Sequence, residues 1–474
     1  MILTDTVVQR VKRHDPLDIL DDFRTRVYGC MTRRPDALFE LADAIACTPS
    51  RVTDVARLSL EPEQERGHGG VYDALNAGHV DYDRFGRVLA ATPVPTVTGP
   101  DGRARIVLAV DVSNWLRPDA ATSPDRSFCH TYARGRGRAD MIPGWPYSFV
   151  VAVEPGPTSW TAVLSFRRLR PGDDATGVTA GQLRTVVENL RAAGHHQAGD
   201  PDILVVADAG YDLPRLAWLL AGLPVEVLGR VRSNRVYHRP ADTPAGPARR
   251  GRPPRHGTRL SLRDASTHDD PAMATTNDTD RYGHAAARAW TRTHPRLERR
   301  GPWAGHEGPT PVIEGTLISL RVERLPGDRT PRPLWLWVST PEPADPAAVD
   351  HWWSMFCRRF DIEHTFRFLK QQLGWTRARL REPAAADRWT ALIVTAHTQL
   401  RLARTMARDC RLPWQRPLPA EKLTPTRVRA GFRRIHQTLT HPAKPPKTST
   451  PGPGRPHGHP NRHKAPIQPI GKAA

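Results

Sequence analysis

Cysteine is scarce in this 474-residue chain, and the five present (Cys30, Cys47, Cys129, Cys357 and Cys410) are scattered. No CxxC or Cys/His cluster points to zinc, and no dense pattern points to disulfides, so reduced thiols in a cytosolic compartment are expected. Long apolar runs are missing too. No run of about 18 apolar residues is available for a membrane span. The opening MILTDTVVQRVKRHDP lacks the apolar core of a signal peptide. Acid is in short supply: 49 Asp and Glu stand against 69 Lys and Arg, for a formal net charge of +20 and a pI near 10.6. A basic excess spread over so long a chain points first to nucleic acid. Arg greatly outnumbers Lys, and Arg is the better bidentate phosphate ligand. A GC-rich genome would account for Arg over Lys, but not for the excess over acids.

The length leaves room for two or three domains and a sizeable core. Residues 1–100 read as a helical N-terminal domain for DNA binding or assembly. Within it, Pro35 to Leu60 gives a helix, a break at Thr48-Pro49 and a second helix, a pattern shared by a helix-turn-helix and an ordinary helical hairpin. Gly67 to Phe85 reads as a turn and a short helix. After a Pro/Gly linker at 93–102, the order becomes three strands, helix, strand, helix, strand over 101–236. The strands are Arg105–Val110, Tyr147–Glu154, Ser159–Phe166, Ile203–Ala207 and Val225–Val231; the helices are Gly177–Ala193 and Asp212–Leu220. This fits a mixed α/β sheet covered by helices.

Residues 237–343 read as an insertion, partly disordered and then β, because apolar periodicity disappears from Tyr237 to Trp303. Strand character returns at Thr316–Arg324 and Leu334–Ser339. ARRGRPPRHG (248–257) sets Arg252 and Arg255 around a Gly-Arg-Pro core and resembles an AT-hook, whose arginines enter the minor groove. Residues 344–410 carry one long helix from about Pro346 to Trp375, capped by Asp345, and an amphipathic helix from Arg388 to Arg408. Residues 411–474 read as a basic, Pro-rich, largely disordered tail, without any acid from about Ala443 onward. It is either a phosphate-binding arm or dispensable.

Three carboxylates stand out. Asp111 (AVDVSNW) and Asp208 (VADAGYD) each end a buried-type strand, and acids at the carboxyl ends of neighbouring strands converge at a sheet edge. Glu363 lies on the long helix, which has no Gly or Pro between His351 and Gly374. There Ile362, Phe366, Leu369 and Leu373 form an apolar stripe at helical period. Phe356, Arg359, Glu363 and Lys370 fall beside that stripe within an arc of roughly 60°. Converging hard oxygen ligands suit Mg²⁺ or Mn²⁺, and a pair of such ions suits the cutting and rejoining of phosphodiesters.

In these positions the chain resembles bacterial insertion-sequence transposases of the DDE class. Asp111 matches the aspartate at the end of their first strand, Asp208 the one after the fourth strand, and Glu363 the glutamate on a late helix beyond an insertion. Phe356-x2-Arg359-x3-Glu363-x6-Lys370 parallels a Tyr-x2-Arg-x3-Glu-x6-Lys signature, with Phe in place of Tyr. The resemblance covers roughly residues 100–410. It implies a ribonuclease H-like (retroviral integrase-like) catalytic core. It also implies two Mg²⁺ ions (or Mn²⁺) held by Asp111, Asp208 and Glu363, and phosphate contacts by Arg359 and Lys370. Phe356 keeps an aromatic face for stacking but not the phenol. The implied partners are transposon inverted-repeat ends and target DNA, bound by a homodimer assembled on DNA, without a membrane, in a bacterial cytoplasm near the nucleoid.

Arg230, Arg232 and Arg235, after the fifth strand, are further phosphate-contact candidates. Arg359 has a second reading, as an ion-pair partner of Glu363 at i,i+4. Asp212 reads as a helix cap. Asp140 and Glu154 are weaker acidic candidates, His130 and His364 read as structural, and Trp352 and Trp353 as core residues. Two other functions compete with DNA transposition: a catalytically silent DNA-binding relative, and a metal-dependent nuclease without strand transfer.

Overall fold

The computed structural model describes residues 15–132, 139–241, 254–326, 330–343, 345–447, 458 and 463–469. The chain opens with helices α1 (Pro16–Tyr28), α2 (Pro35–Cys47), α3 (Val55–Leu58), α4 (Gly67–Ala77) and α5 (Tyr82–Ala90). Two short ladders accompany them, β1 (Met31–Arg33) with β2 (His79–Val80) and β3 (Val97–Thr98) with β4 (Ala104–Arg105). Every residue of α2 from Ala37 to Cys47 is buried and α3 has only four residues. The second helix of the pair, the one a helix-turn-helix lays in the groove, is thus little more than a single turn, shorter than a recognition helix. The segment from Gly67 also holds more helix than its turn-like sequence implies, since α4 starts at Gly67 itself.

The sheet is built from β5 (Val107–Leu116), β6 (Arg126–Tyr132), β7 (Ala139–Val153), β8 (Thr161–Arg168), β9 (Ile203–Ala207) and β10 (Val225–Val231), with α6 (Ala175–Ala192) and α7 (Leu213–Leu219) as crossovers. β7 lies antiparallel between β5 and β8; β9 runs parallel to β5, and β10 parallel to β9. The near-continuous apolar runs of β5 and β9 reflect burial on both faces, as parallel strands require. Val107, Ala109, Leu204, Val206 and Leu228 belong to the core under one face. Leu108, Val110, Val205, Ala207 and Val227 belong to the core under the other, with Leu183, Val186, Val187 and Leu190 of α6.

The sheet then continues through the insertion. β11 (Val236–His238), β12 (Arg259–Ser261), β13 (Met273–Thr279), β14 (Gly283–Pro295), β15 (Gly315–Val322) and β16 (Leu334–Val338) extend it beyond β10 in the order β10-β16-β15-β14-β11-β12, with β13 hairpinned onto β14. The stretch from Tyr237 to Trp303, where apolar periodicity fails, thus holds strands after all. The tract 248–253, including Arg252, lies outside the described residues.

The expected unbroken helix is two: α8 (Pro346–Arg358), capped by Asp345 as anticipated, and α9 (Asp361–Gln371). Between them Ile362 N–H donates to Arg359 O (3.1 Å) and Glu363 N–H to Phe360 O (3.1 Å), the i→i+3 pattern that tightens a helix into a turn. α10 (Pro383–Leu402) packs on the same sheet face, and α2 packs on α10. Between them Arg24 Nη1 donates to Asp43 Oδ1 (2.6 Å) and Gln399 Oε1 (2.5 Å), all three residues buried. Residues 411–474 are not uniformly tail-like, because α11 (Pro425–His436) buries Val428 and Phe432 in the main core, and β17 (Ile467–Pro469) pairs parallel to β6. Among the described residues no helix is long and apolar enough to cross a membrane.

Candidate active site

Side-chain alternation brings the acids together. Val107 and Ala109 face the α9–α10 side of the sheet, so at period two Asp111 faces it as well. Leu204 and Val206 face that same side, so Asp208, one residue past β9, follows them. The β5–β9 register ends at Ala109 opposite Val206; two steps further along both strands come Asp111 and Asp208. Arg230 also lies on this face, one step past the Gly229–Ala207 pair that aligns β10 with β9. Asp111 does not end its strand, however. β5 runs on to Leu116, held against the long β7 with Asp111 opposite Phe149. It is the parallel pairing with β9 that stops short of Asp111, and this opens the sheet there.

α9 covers this face. Ile362, Phe366 and Leu369 are at most 4% exposed and anchor the helix on the core, as their spacing implies. Glu363 is half-buried beside them. Across the gap Arg359 Nη1 donates to Asp111 Oδ2 at 2.9 Å, with both side chains less than one-fifth exposed. The turn between α8 and α9 therefore sends Arg359 to the sheet carboxylate, and the i,i+4 ion pair with Glu363 is not formed. Burial raises the Asp111 carboxyl to about 6. Arg359 and the Val112 N–H oppose this rise, while the charges of Glu363 and Asp208 add to it. Glu363 and Asp208 thus both act electrostatically on Asp111. Lys370 is in the same field: burial lowers its ammonium pKa, and Glu363 and Asp111 resist that shift. Its Nζ also stands 5.6 Å from the Trp375 ring centroid.

The carboxylate oxygens do not all come within 4.8 Å of one another. The donor set still fits a hard divalent cation: it is all oxygen and all anionic, and it includes one buried carboxyl that neighbouring negative charge disfavours from ionising. Asp111, Asp208 and Glu363 are the residues that would hold such an ion, and their side chains would have to turn inward to reach it.

Two clefts flank the acids. One of about 840 Å³ is lined by Phe356, Arg359, Phe360 and His364, and across from them by Arg281 and Tyr282 at the β13–β14 hairpin. The sequence offered no signal for that hairpin wall, since it falls in the stretch without apolar periodicity. The other, about 420 Å³, runs from the Ala209–Pro214 loop past Arg232 and Arg235 to Arg296. Arg230, Arg232 and Arg235 are all exposed, and none forms an ion pair among the described residues. Arg255 is instead engaged with the Thr310 carbonyl (2.7 Å), in an adjoining groove that shares Arg296 with this cleft and also holds Arg299.

The remaining candidates have structural positions. Asp212 caps α7 through the Arg215 N–H. Glu154 is taken by Arg401 (3.5 Å) and Arg404 (2.7 Å). Trp352 and Trp353 are core residues whose indole N–H groups donate to Glu226 and Asp350. Asp140 and His130 are exposed on β7 and β6, and His364 packs edge-on against Phe360 (5.3 Å). Tyr211, three residues past Asp208, was not singled out by its sequence; its buried phenol lies within the field of Asp111.

Among solved structures, the chain is similar to that titled "Cryo-EM structure of piggyBac transposase synaptic complex with hairpin DNA", with 10% identity and a TM-score of 0.41, over 91% of this chain and 83% of that one. No curated protein matches. The family described as "DDE superfamily endonuclease" matches residues 26–296, more than half of the chain and a span that includes Asp111 and Asp208. By that match the chain belongs to the DDE superfamily endonucleases.

Proposed function

We propose that this endonuclease is an insertion-sequence DNA transposase with a ribonuclease H-like core, which cuts at inverted-repeat ends and joins the freed 3′-hydroxyl to target DNA. The observation that carries the proposal is the meeting of Asp111, Asp208 and the Arg359–Glu363–Lys370 group on one sheet face, where the charges of Glu363 and Asp208 act on the Asp111 carboxyl. Two divalent cations bound there would activate the attacking oxygen and neutralise charge developing at phosphorus.

The chain's own residues do the rest. Asp111, on a strand held against β7, and Asp208, on a loop pinned by the α7 cap, would fix where the ions, and with them the reacting phosphate, sit. Arg359 is the phosphate contact nearest the acids, and in the DNA-free chain it keeps Asp111 in place. Lys370 supplies a second positive charge. Arg232 and Arg235 guide the duplex along the cleft beside Asp208, with Arg230 as a further phosphate contact on the face of the acids. Phe356 lines the opposite cleft as a stacking surface. Two copies assembled on paired ends would place one such site at each end.

The test is Mg²⁺- or Mn²⁺-dependent cleavage of a duplex carrying the element's end, followed by a plasmid-target assay for inserted product. Asp111→Ala, Asp208→Ala and Glu363→Ala should each abolish cleavage while leaving duplex binding in place. Activity retained in any of them would sink the assignment. Cleavage without inserted product would leave a nuclease, and salt-dependent binding without cleavage under any divalent metal would leave a silent DNA-binding protein.

A further inference from the structure

A second cluster of ligating groups lies away from the acids, where α2 meets α11. Cys47 ends α2 and is 2% exposed. Glu63 follows α3, with its side chain 6% exposed. His436 ends α11, with its side chain 13% exposed. The Cys47 sulfur, a Glu63 carboxylate oxygen and a His436 ring nitrogen all lie within 4.8 Å of one another. Four-coordinate zinc with Zn–S near 2.3 Å and Zn–N or Zn–O near 2.0 Å holds its donors roughly 3.3–3.8 Å apart, so small side-chain rotations would close this set.

We infer that Cys47, Glu63 and His436 form a zinc site that ties the C-terminal helix to the N-terminal helices. The donors are a thiol, an imidazole and a carboxylate, a mixture that selects zinc over the hard ions suited to an all-carboxylate site. The supporting shell is already built. Asp43 lies one helical turn before Cys47, is fully buried, and its Oδ2 is 2.9 Å from His436 Nε2. Placing the ring proton on Nε2 leaves the lone pair on Nδ1 and orients the ring, as carboxylate–histidine–metal arrangements do. Asp43 is itself held by Arg24 (2.6 Å).

Two arginines border the cluster. Arg429, 3% exposed, donates to the carbonyls of Ile45, Ser50 and Gln372 and has no ion pair among the described residues. Its guanidinium lies within the field of Cys47, whose thiol is pushed well above its ordinary range in the metal-free chain by burial and the charges of Asp43 and Glu63. Arg433 holds both Glu63 carboxylate oxygens, Oε1 through Nε at 2.8 Å and Oε2 through Nη2 at 3.1 Å. Bound metal would displace the thiol proton, and the thiolate and carboxylate together would balance its two charges. A water completes the four-coordinate set. Three such donors separated so widely along the chain leave no CxxC-like trace in the sequence.

The experiment uses the full-length chain purified without added metal. Elemental analysis should find one zinc per chain. Replacing it with Co²⁺ should produce a thiolate-to-cobalt charge-transfer band in the near ultraviolet, which an all-carboxylate site cannot give. Cys47→Ser should lose both the zinc and the band, His436→Gln should lose most of the zinc, and Cys410→Ser, an exposed thiol, should keep both. Chelation should lower the melting temperature of the wild type and leave Cys47→Ser unchanged. If Cys47→Ser does not fold, the wild-type cobalt spectrum decides alone. A chain that takes up no zinc, a cobalt form without the band, or a folded Cys47→Ser that keeps both would overturn the site.

Discussion

Replacing Asp111 with Asn in the metal-free protein should stabilise it, although Asp111 is the central acid of the site. Burial raises its carboxyl from the usual 3.8 to about 6 even with Arg359 beside it. The folded state therefore holds this proton more tightly than the unfolded chain does. Stability from this group is complete below pH 3.8 and is lost as the pH rises through 6. A rise of two pH units corresponds to about 3 kcal/mol, and partial solvation of a side chain 17% exposed reduces the expected gain to about 1–3 kcal/mol. Asparagine keeps the shape and can still accept from Arg359, so it resembles the protonated acid. In chelator, thermal melts should show Asp111→Asn more stable than wild type above about pH 6.5, with an advantage that shrinks towards pH 4. With Mg²⁺ or Mn²⁺ the order should reverse, because the wild type gains binding free energy that the variant lacks. A variant less stable than wild type at pH 8 in chelator, or an advantage equally large at pH 4, would refute the electrostatic account.

Three other perturbations have defined outcomes. Arg24→Met leaves the Asp43 carboxylate, 0% exposed, without its guanidinium, and urea unfolding should show a loss of about 3–5 kcal/mol; a loss below 1 kcal/mol would mean His436 alone suffices as a partner. Gly374 has φ +71°, and a Cβ there would stand 2.6 Å from Val52 O, so Gly374→Ala should cost about 2 kcal/mol or more and lower the melting temperature. Arg232→Ala and Arg235→Ala should each lower the slope of log affinity against log salt for duplex DNA by about one, measured by fluorescence anisotropy; an unchanged slope in both would move the DNA path away from that cleft.

The parallel core was legible because its strands announce themselves. ILVVA and VEVLGRV, flanked by turn residues, fall on β9 and β10 to the residue. The insertion was not, because β14 builds its alternation from alanine, threonine and arginine rather than from large apolar residues. Ala285, Ala287 and Ala289 are buried, yet they add little to an apolar count. α11 misled for a related reason. Its core contacts are Val428 and Phe432 among four arginines, and such a segment reads as a basic arm until its arginines are traced. Arg429 is spent on main-chain carbonyls, and Arg433 on Glu61 and Glu63. Arginines such as these are therefore not offered to a ligand, and Arg230, Arg232 and Arg235 matter because they are exposed and without an ion pair among the described residues.

The three candidate acids were legible in the sequence, and the way the fold joins them was not. Sequence alone singles out Asp111, Asp208 and Glu363 as candidates, but the strand-end rule that singled out Asp111 does not describe its setting, since β5 continues past it. What brings Asp111 and Asp208 to one face is period-two alternation combined with the β5–β9 register, and register is a long-range property that no local window contains. The same limit applies to Arg359. At helical spacing its nearest acid is Glu363, four residues on, and a straight helix would join the two. The 3₁₀-type turn at Arg359–Phe360 contains no Pro or Gly to reveal it, and it redirects the guanidinium to a carboxylate 248 residues earlier in the chain. A cation that would have been neutralised within its own helix instead bridges helix and sheet. That placement opposes the rise that burial imposes on the Asp111 carboxyl and leaves Glu363 without an ion pair among the described residues.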